Sequence, residues 1–201
     1  MKRAVDLVAS AAGLVMTSPL VLAAAIAVKI DSPGPAFYVS TRVGKGGRDF
    51  RIVKLRTMRA HAAGPAVTAG DDPRITRVGR FLRRTKLDEL PQLLNVLKGD
   101  MSLVGPRPED PKYVAHYSME QRRVLDVRPG ITGPTVLQFI DEESLLRGGE
   151  AESRYLTEVM PRKLAVDLDY VDHATFRGDL VILGHTTIAL LRRALRRGSR
   201  V

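Results

Sequence analysis

The sequence predicts an α+β protein that is predominantly helical, with an apolar N-terminal helix, a small β-hairpin and amphipathic helices suited to an interface. Three observations predict it. Leu7 to Val28 carries no charge, and a helix rising ~1.5 Å per residue over that run can cover a hydrocarbon core of about 30 Å. Phe37 to Arg42 and Phe50 to Leu55 are short runs rich in Phe, Val and Ile on either side of a glycine cluster, the pattern of a hairpin. From Asp72 onward, apolar residues recur at helical spacing among basic ones. A chain of 201 residues suits one domain with a sizeable core, and no internal repeat is visible.

The N-terminal run is interrupted by Ser18-Pro19. Proline removes a helical donor and crowds the preceding turn, so a bend or break is expected there. The carbonyl it frees needs a partner, from the Ser18 hydroxyl or a neighbouring helix. The run can be read as a signal peptide with an Ala23-x-Ala25 cleavage site, as a simple span, or as a re-entrant helix whose ends share one face. Lys2 and Arg3 at one end and Lys29 at the other favour re-entry, because Lys and Arg tend to remain cytoplasmic.

Asp31-Ser32-Pro33-Gly34-Pro35 closes this segment as a turn cluster. Gly44, Gly46 and Gly47 lack the spacing of a nucleotide phosphate loop and read as the hairpin turn. His61 to Gly70, rich in Ala and Gly, reads as a loop. Asp72-Pro73 has the form of a helix cap and first turn, with Ile75, Val78 and Leu82 on one face. A further helix starts at Thr85 or Asp88, with Pro91 favouring the later start. It buries Leu90, Leu93, Leu94 and Leu97 and ends at Gly99. Gly105 to Pro108 and Pro129 to Pro134 read as rigid loops. Lys112 to Leu125, Tyr155 to Tyr170 and Leu180 to Arg193 read as helices. The arginine-rich tail, Arg192 to Arg200, follows apolar Ile188 to Leu191, a pattern that suits an anionic membrane surface or a frayed terminus.

Charge and composition narrow the function. Lys and Arg number 32 against 22 acidic residues, a net charge of +10. Such a balance favours an anionic partner: nucleic acid, membrane surface or phosphorylated substrate. Cysteine is absent, which excludes a disulfide framework and a zinc-thiolate site. The 4 histidines show no metal-ligand spacing. Tryptophan is also absent and aromatics are few, which weakens single-strand binding by base stacking.

Asp88 and Glu89 follow the basic series Arg74, Arg77, Arg80, Arg83, Arg84 and Lys86. Carboxylates in so positive a field are expected to stay ionised at neutral pH, and the field attracts phosphates. An ionised carboxylate there can act as nucleophile, metal ligand or base. Taken alone, the pair reads more simply as a solvated helix face of alternating charge.

The residues that follow change that balance. Asp88 to Glu109 reads DELPQLLNVLKGDMSLVGPRPE and resembles the bacterial sugar transferases, the monotopic phosphoglycosyl transferases that start glycan assembly on polyprenyl phosphate. Further matches follow the family in order: KRAVDLVAS at Lys2, SPL at Ser18, DSPGPAFY at Asp31, VKLRTM at Val53, DDPRITRVGRFLRRT at Asp71 and RPGITGP at Arg128. The resemblance spans nearly the whole chain and does not identify the sugar.

It implies transfer of a sugar-1-phosphate from a UDP-sugar to polyprenyl (undecaprenyl) phosphate, with release of UMP. By this pattern Asp88 is the nucleophile, forming an acyl-phosphate, and Glu89 is its partner in metal coordination or proton handling. Both would serve a Mg²⁺ ion, which prefers oxygen ligands and substrate phosphates. Lys54, Arg83 and Arg107 correspond to phosphate ligands. Asp179, in FRGDL, matches a late acidic position that helps shape the site, and also reads as a helix cap. Ser18-Pro19 corresponds to the break of a re-entrant helix held in the inner leaflet. Residues 1–30 are then a re-entrant membrane helix, and residues 31–201 a cytoplasmic catalytic domain on the bacterial inner (plasma) membrane. The implied partners are the UDP-sugar, polyprenyl phosphate and anionic lipids; a second copy of the chain is admissible, and nucleic acid is not expected.

Two departures stand out. The family's aromatic-Ala-Gln-Val-Asn-Gly-Arg after Pro-Gly-Ile-Thr-Gly is replaced by Pro134-Thr135-Val136-Leu137-Gln138-Phe139, followed by Asp141, Glu142 and Glu143. That change bears on nucleotide and sugar contacts rather than on the central chemistry. Leu55 stands where phenylalanine is usual, an apolar exchange. The competing function is a membrane-anchored basic protein that binds nucleic acid or anionic lipid without catalysis, but no nucleic-acid reading motif is present.

Overall fold

A computed structural model describes residues 1–60, 64, 72–140, 146 and 151–195. Helix α1, Lys2–Asp31, runs through Pro19 without interruption, so of the expected bend or break the break does not occur. Pro19 has no N–H for the carbonyl of Val15, and the Ser18 hydroxyl donates to that carbonyl instead, at 2.9 Å. Thr17 Oγ1 donates to Gly13 O at 2.7 Å one turn earlier. The Ser18 hydroxyl thus satisfies the carbonyl that the proline would leave exposed.

Both ends of α1 are fastened to the rest of the protein. At the start, Lys2 Nζ meets Asp179 Oδ2 at 2.7 Å and Val104 O at 2.9 Å. Arg3 donates to Val96 O and Leu97 O, and buried Asp6 accepts from Ser102 Oγ at 2.8 Å and Leu103 N at 3.1 Å. At the far end, Arg56 Nη2 donates to Ser32 O at 2.7 Å and Val28 O at 3.4 Å, and Val28 O also accepts from Ser32 N at 3.2 Å. Between these clamps Val8, Val15, Met16, Leu22, Ile26 and Ile30 are exposed. The helix is long and apolar enough to cross a membrane.

Strands β1, Phe37–Val43, and β2, Asp49–Leu55, form the predicted antiparallel hairpin, in register from Phe37 opposite Leu55 to Val43 opposite Asp49. Leu55, at the position of the family's phenylalanine, is buried with Ala24, Ala25, Val28 and Leu82.

Helix α2, Arg77–Thr85, begins later than the sequence predicts. Thr76, not Asp72, is the cap, its Oγ1 accepting from Gly79 N at 3.0 Å. Asp72 is turned onto Arg74, accepting from its backbone and guanidinium, while Ile75 bridges to Met58. A 3₁₀ helix, Leu87–Gln92, then leads into α3, Leu93–Lys98. Neither Thr85 nor Asp88 caps it: Thr85 Oγ1 donates back to Phe81 O and Leu82 O. The buried stripe also differs. Gln92, Leu93, Asn95 and Val96 are buried, and Leu94 is exposed. Gly99 ends α3 as expected, with φ +97°.

Strand β3, Ser102–Val104, pairs in parallel with β4, Gly130–Thr132, so the loop predicted at Pro129 to Pro134 contains a strand. Lys112 to Leu125 is less helical than predicted: α4 covers Pro111–Val114, and a 3₁₀ turn covers Gln121–Asp126. Helix α5, Pro134–Gln138, follows β4. Helix α6, Ala151–Arg154, passes through a π-turn, Tyr155–Val159, into α7, Met160–His173; α8 is Phe176–Leu195. The largest core cluster joins Val43, Tyr113, Tyr117, Val124, Tyr155, Met160 and Leu164. Loop residues 61–63, 65–70 and 141–143, and the tail beyond 195, lie outside the described residues.

Candidate active site

Lys86 ends α2 in the left-handed region, at φ 59°. A lysine there carries backbone strain on the order of 1 kcal/mol or more. The turn starts the 3₁₀ helix with Asp88 and Glu89 in its first turn, and Glu89 N donates to Lys86 O at 3.2 Å. Both carboxylates are buried, at 7% and 6% exposure.

Their partners differ. Glu89 Oε1 receives Arg107 Nη2 at 2.9 Å, with Lys54 Nζ at 3.5 Å and Lys86 Nζ at 3.8 Å. These cations hold Glu89 well below the usual carboxylate range despite its burial. Among the described residues Asp88 Oδ1 is buried without a hydrogen-bond partner. Burial, and then the charge of Glu89, push the Asp88 carboxyl up, against the pull of Lys54, Lys86 and Arg83. The positive field therefore holds Glu89 ionised as expected, while at Asp88 desolvation raises the carboxyl above its ordinary value. Desolvation also lowers Lys54 to about 8.

Each cation is delivered by a different element. Lys54 lies on β2, which Asn95 ties to α3 through Val53 N at 3.2 Å and Arg51 O at 2.7 Å. Arg83, on α2, reaches Thr57 Oγ1 at 3.3 Å and lines the cleft. Arg107 sits in a loop fixed by Gly105 N to Thr132 O at 2.9 Å and Gly130 N to Pro106 O at 2.8 Å. The backbones approach so closely that a Cβ on Gly105 would fall 2.4 Å from Arg128 O; only glycine fits such a contact.

These groups border a cleft of about 180 Å³. Its far side carries residues that sequence reasoning missed. Tyr155 donates to Glu109 Oε2, Lys163 Nζ donates to Tyr155 OH at 3.2 Å, and Thr135 donates to Asp167. The Arg107 backbone N–H also donates to Asp167, whose carboxyl burial pushes up to about 6. Gln92, buried with Nε2 unpartnered among the described residues, lines the cleft as well. Burial of polar side chains facing a cleft is the signal that marks these positions, and it exists only in three dimensions.

The structure thus brings Asp88, Glu89, Lys54, Arg83 and Arg107 together. It places Asp179 elsewhere, in α8, bound to Lys2 and to Tyr170 OH at 2.7 Å. Thr175 supplies the α8 cap contact, to Gly178 N. Ser18 and Pro19 lie in α1. Among the described residues no group of three or more His, Cys, Asp or Glu side chains could enclose a metal. The unfilled Oδ1 of Asp88 does suit a hard cation that completes its shell with substrate oxygens and water.

A buried acidic pair held among Lys54, Lys86 and Arg107, with Arg83 on the adjoining cleft, forms a centre suited to phosphate chemistry. The chain matches the family model for bacterial sugar transferases over residues 1–193 and belongs to that family. It is 45% identical over 196 residues to the UDP-glucose:undecaprenyl-phosphate glucose-1-phosphate transferase of Caulobacter vibrioides, covering 94% of this chain and 69% of that one. The Escherichia coli protein of the same description is 39% identical over 180 residues, 85% of this chain and 36% of its own length. The exopolysaccharide production protein PSS of Rhizobium leguminosarum bv. phaseoli is 37% identical over 202 residues, 96% of each chain. The protein is therefore a transferase of the phosphoglycosyl class, and the reading as a non-catalytic binding protein falls away.

Proposed function

We propose that the protein transfers a sugar-1-phosphate from a UDP-sugar to polyprenyl phosphate, through a covalent intermediate on Asp88. The observation that carries this reading is the unpartnered Asp88 Oδ1 beside a Glu89 already held by Arg107, Lys54 and Lys86. The Asp88 carboxylate attacks the β-phosphorus of the UDP-sugar, and an acyl-phosphate bond forms. The bond from that phosphorus to the bridging oxygen breaks, and UMP leaves with its electron pair. A phosphate oxygen of the lipid then attacks the same phosphorus and returns Asp88 as a carboxylate, so one difficult step becomes two. Lys54, Arg83 and Arg107 hold phosphate oxygens and offset the repulsion between two anionic substrates. Mg²⁺, held by Asp88 with Glu89 beside it, would neutralise charge developing on the phosphates.

The proposed setting is the cytoplasmic face of the bacterial plasma membrane, as the first membrane step of polysaccharide or glycoconjugate assembly. Both ends of α1 are fastened to the same globular body, which supports a helix that bends at Pro19 without breaking, dips into one leaflet and keeps its ends on one side. Purified protein given polyprenyl phosphate, Mg²⁺ and a panel of UDP-sugars should release UMP with one or a few of them and lose that activity in EDTA; no release with any sugar contradicts the reading. For topology, an Ala4→Cys variant leaves the Lys2 clamp intact. An impermeant thiol reagent outside intact cells should not label it, and labelling there contradicts re-entry.

A further inference from the structure

A second cavity, of about 130 Å³, adjoins the charged cleft. Leu90, Leu93, Ile131, Leu137, Ala189 and Leu190 form its apolar wall, drawn from the dyad segment, β4, α5 and α8. Two hydroxyls in its lining close on each other, Thr132 Oγ1 and Thr186 Oγ1 at 2.7 Å, and Thr186 Oγ1 also reaches Ile182 O at 2.8 Å. Glu89 and Lys86 border the groove, and Lys86, Val136 and Ile140 border both cavities. Leu93 packs against Gly13 of α1, so the groove's wall continues into the helix that exposes an apolar face.

The two substrates of the proposed reaction differ in the way these cavities differ. A nucleotide sugar is polar throughout and suits the cleft lined by arginine and lysine. The acceptor is an amphiphile whose phosphate must reach the phosphorus held at Asp88. Its hydrocarbon cannot lie among buried charges without leaving them unsolvated. We propose that the apolar groove seats the isoprene units next to the acceptor phosphate, with that phosphate at the junction marked by Lys86. The inference rests on the proposed reaction and adds the place where its lipid substrate binds.

Photo-crosslinking tests it directly. A polyprenyl phosphate carrying a diazirine in its first isoprene unit should label wild-type peptides containing residues 131–137 or 186–190. Labelling confined to α1, or to no part of the groove, overturns the proposal. In a parallel assay, Ala189→Trp fills the groove, with Ala189→Ser as the conservative control. Ala189→Trp should raise KM for polyprenyl phosphate by roughly tenfold or more while KM for the UDP-sugar stays within about twofold, the pattern of lost acceptor binding. An unchanged acceptor KM in a folded Ala189→Trp protein, or equal losses for both substrates, overturns it. If that variant fails to fold, the crosslink decides. Failure of the wild type to transfer sugar to any polyprenyl phosphate is a different result, and it removes the reaction rather than the groove.

Discussion

One wall of the cleft comes from a single stretch of chain, in which Lys86 and Gln92 line the cavity and Asp88 and Glu89 lie between them, whereas the other wall gathers Glu109, Thr135, Tyr155 and Lys163 from separate elements, with Asp167 bound to Thr135. The first wall holds an unpartnered carboxylate oxygen and a lysine in the left-handed region. On the second, Tyr155 closes on Glu109, Lys163 on Tyr155 and Thr135 on Asp167. An open hydrogen-bonding position and backbone strain sit where the proposed reaction makes and breaks bonds. Closed hydrogen bonds sit where the loop bearing Arg107 must be held still. The difference separates a reacting wall from a framing one, and substitutions on the two should differ in kind.

The largest effect is expected on the reacting wall. Asp88→Asn should lower turnover by about 10³-fold or more, as losses of a nucleophile do. It should leave Tm unchanged or raised, because burial disfavours this carboxylate. Wild-type turnover in that variant would erase the distinction. Arg107→Ala comes next. Its guanidinium contacts Glu89 while its backbone N–H contacts Asp167, so the loop stays anchored when the side chain goes. Loss of a charge-assisted bond predicts a fall in kcat/KM of roughly 10- to 100-fold, with little change in the melting temperature.

The smallest effect belongs to the framing wall and appears as a pH slope. Asp167 titrates at about 6 in the folded protein, above its unfolded value of ~3.9. The folded state therefore binds more protons between those values, and stability falls as pH rises through that window. Asp167→Asn should remove a loss on the order of 2 kcal/mol between about pH 4 and 6. Denaturant melts of both proteins across that range measure the difference, and identical slopes would contradict the burial assigned to Asp167.

The reacting wall was legible because its chemistry is local: an acidic pair, a basic series before it and a long motif after it lie in one stretch. Lys54 and Arg107 came from the family pattern, since nothing in their own neighbourhoods distinguishes them from surface cations. Sequence displays the charges around Asp88 but not the desolvation that raises its carboxyl against them. The framing wall was illegible for a related reason. Lys163 and Asp167 sit in an ordinary helical pattern, and their burial depends on packing against Glu109 and Thr135. Helix starts misled where two capping residues compete. Asp72-Pro73 has the better local form, but Thr76 wins because Asp72 is engaged by Arg74 and Ile75 bridges to Met58.

The central claim is that the unpartnered carboxylate of Asp88 becomes covalently bonded to the sugar phosphate. Incubating the protein with its UDP-sugar in the absence of polyprenyl phosphate, quenching, and mapping the modified peptide by mass spectrometry tests it most directly. The account predicts a phosphosugar adduct on Asp88 that forms with release of UMP and disappears when polyprenyl phosphate is added. An adduct on Glu89 or any other residue, or turnover with no adduct under single-turnover conditions, would contradict it.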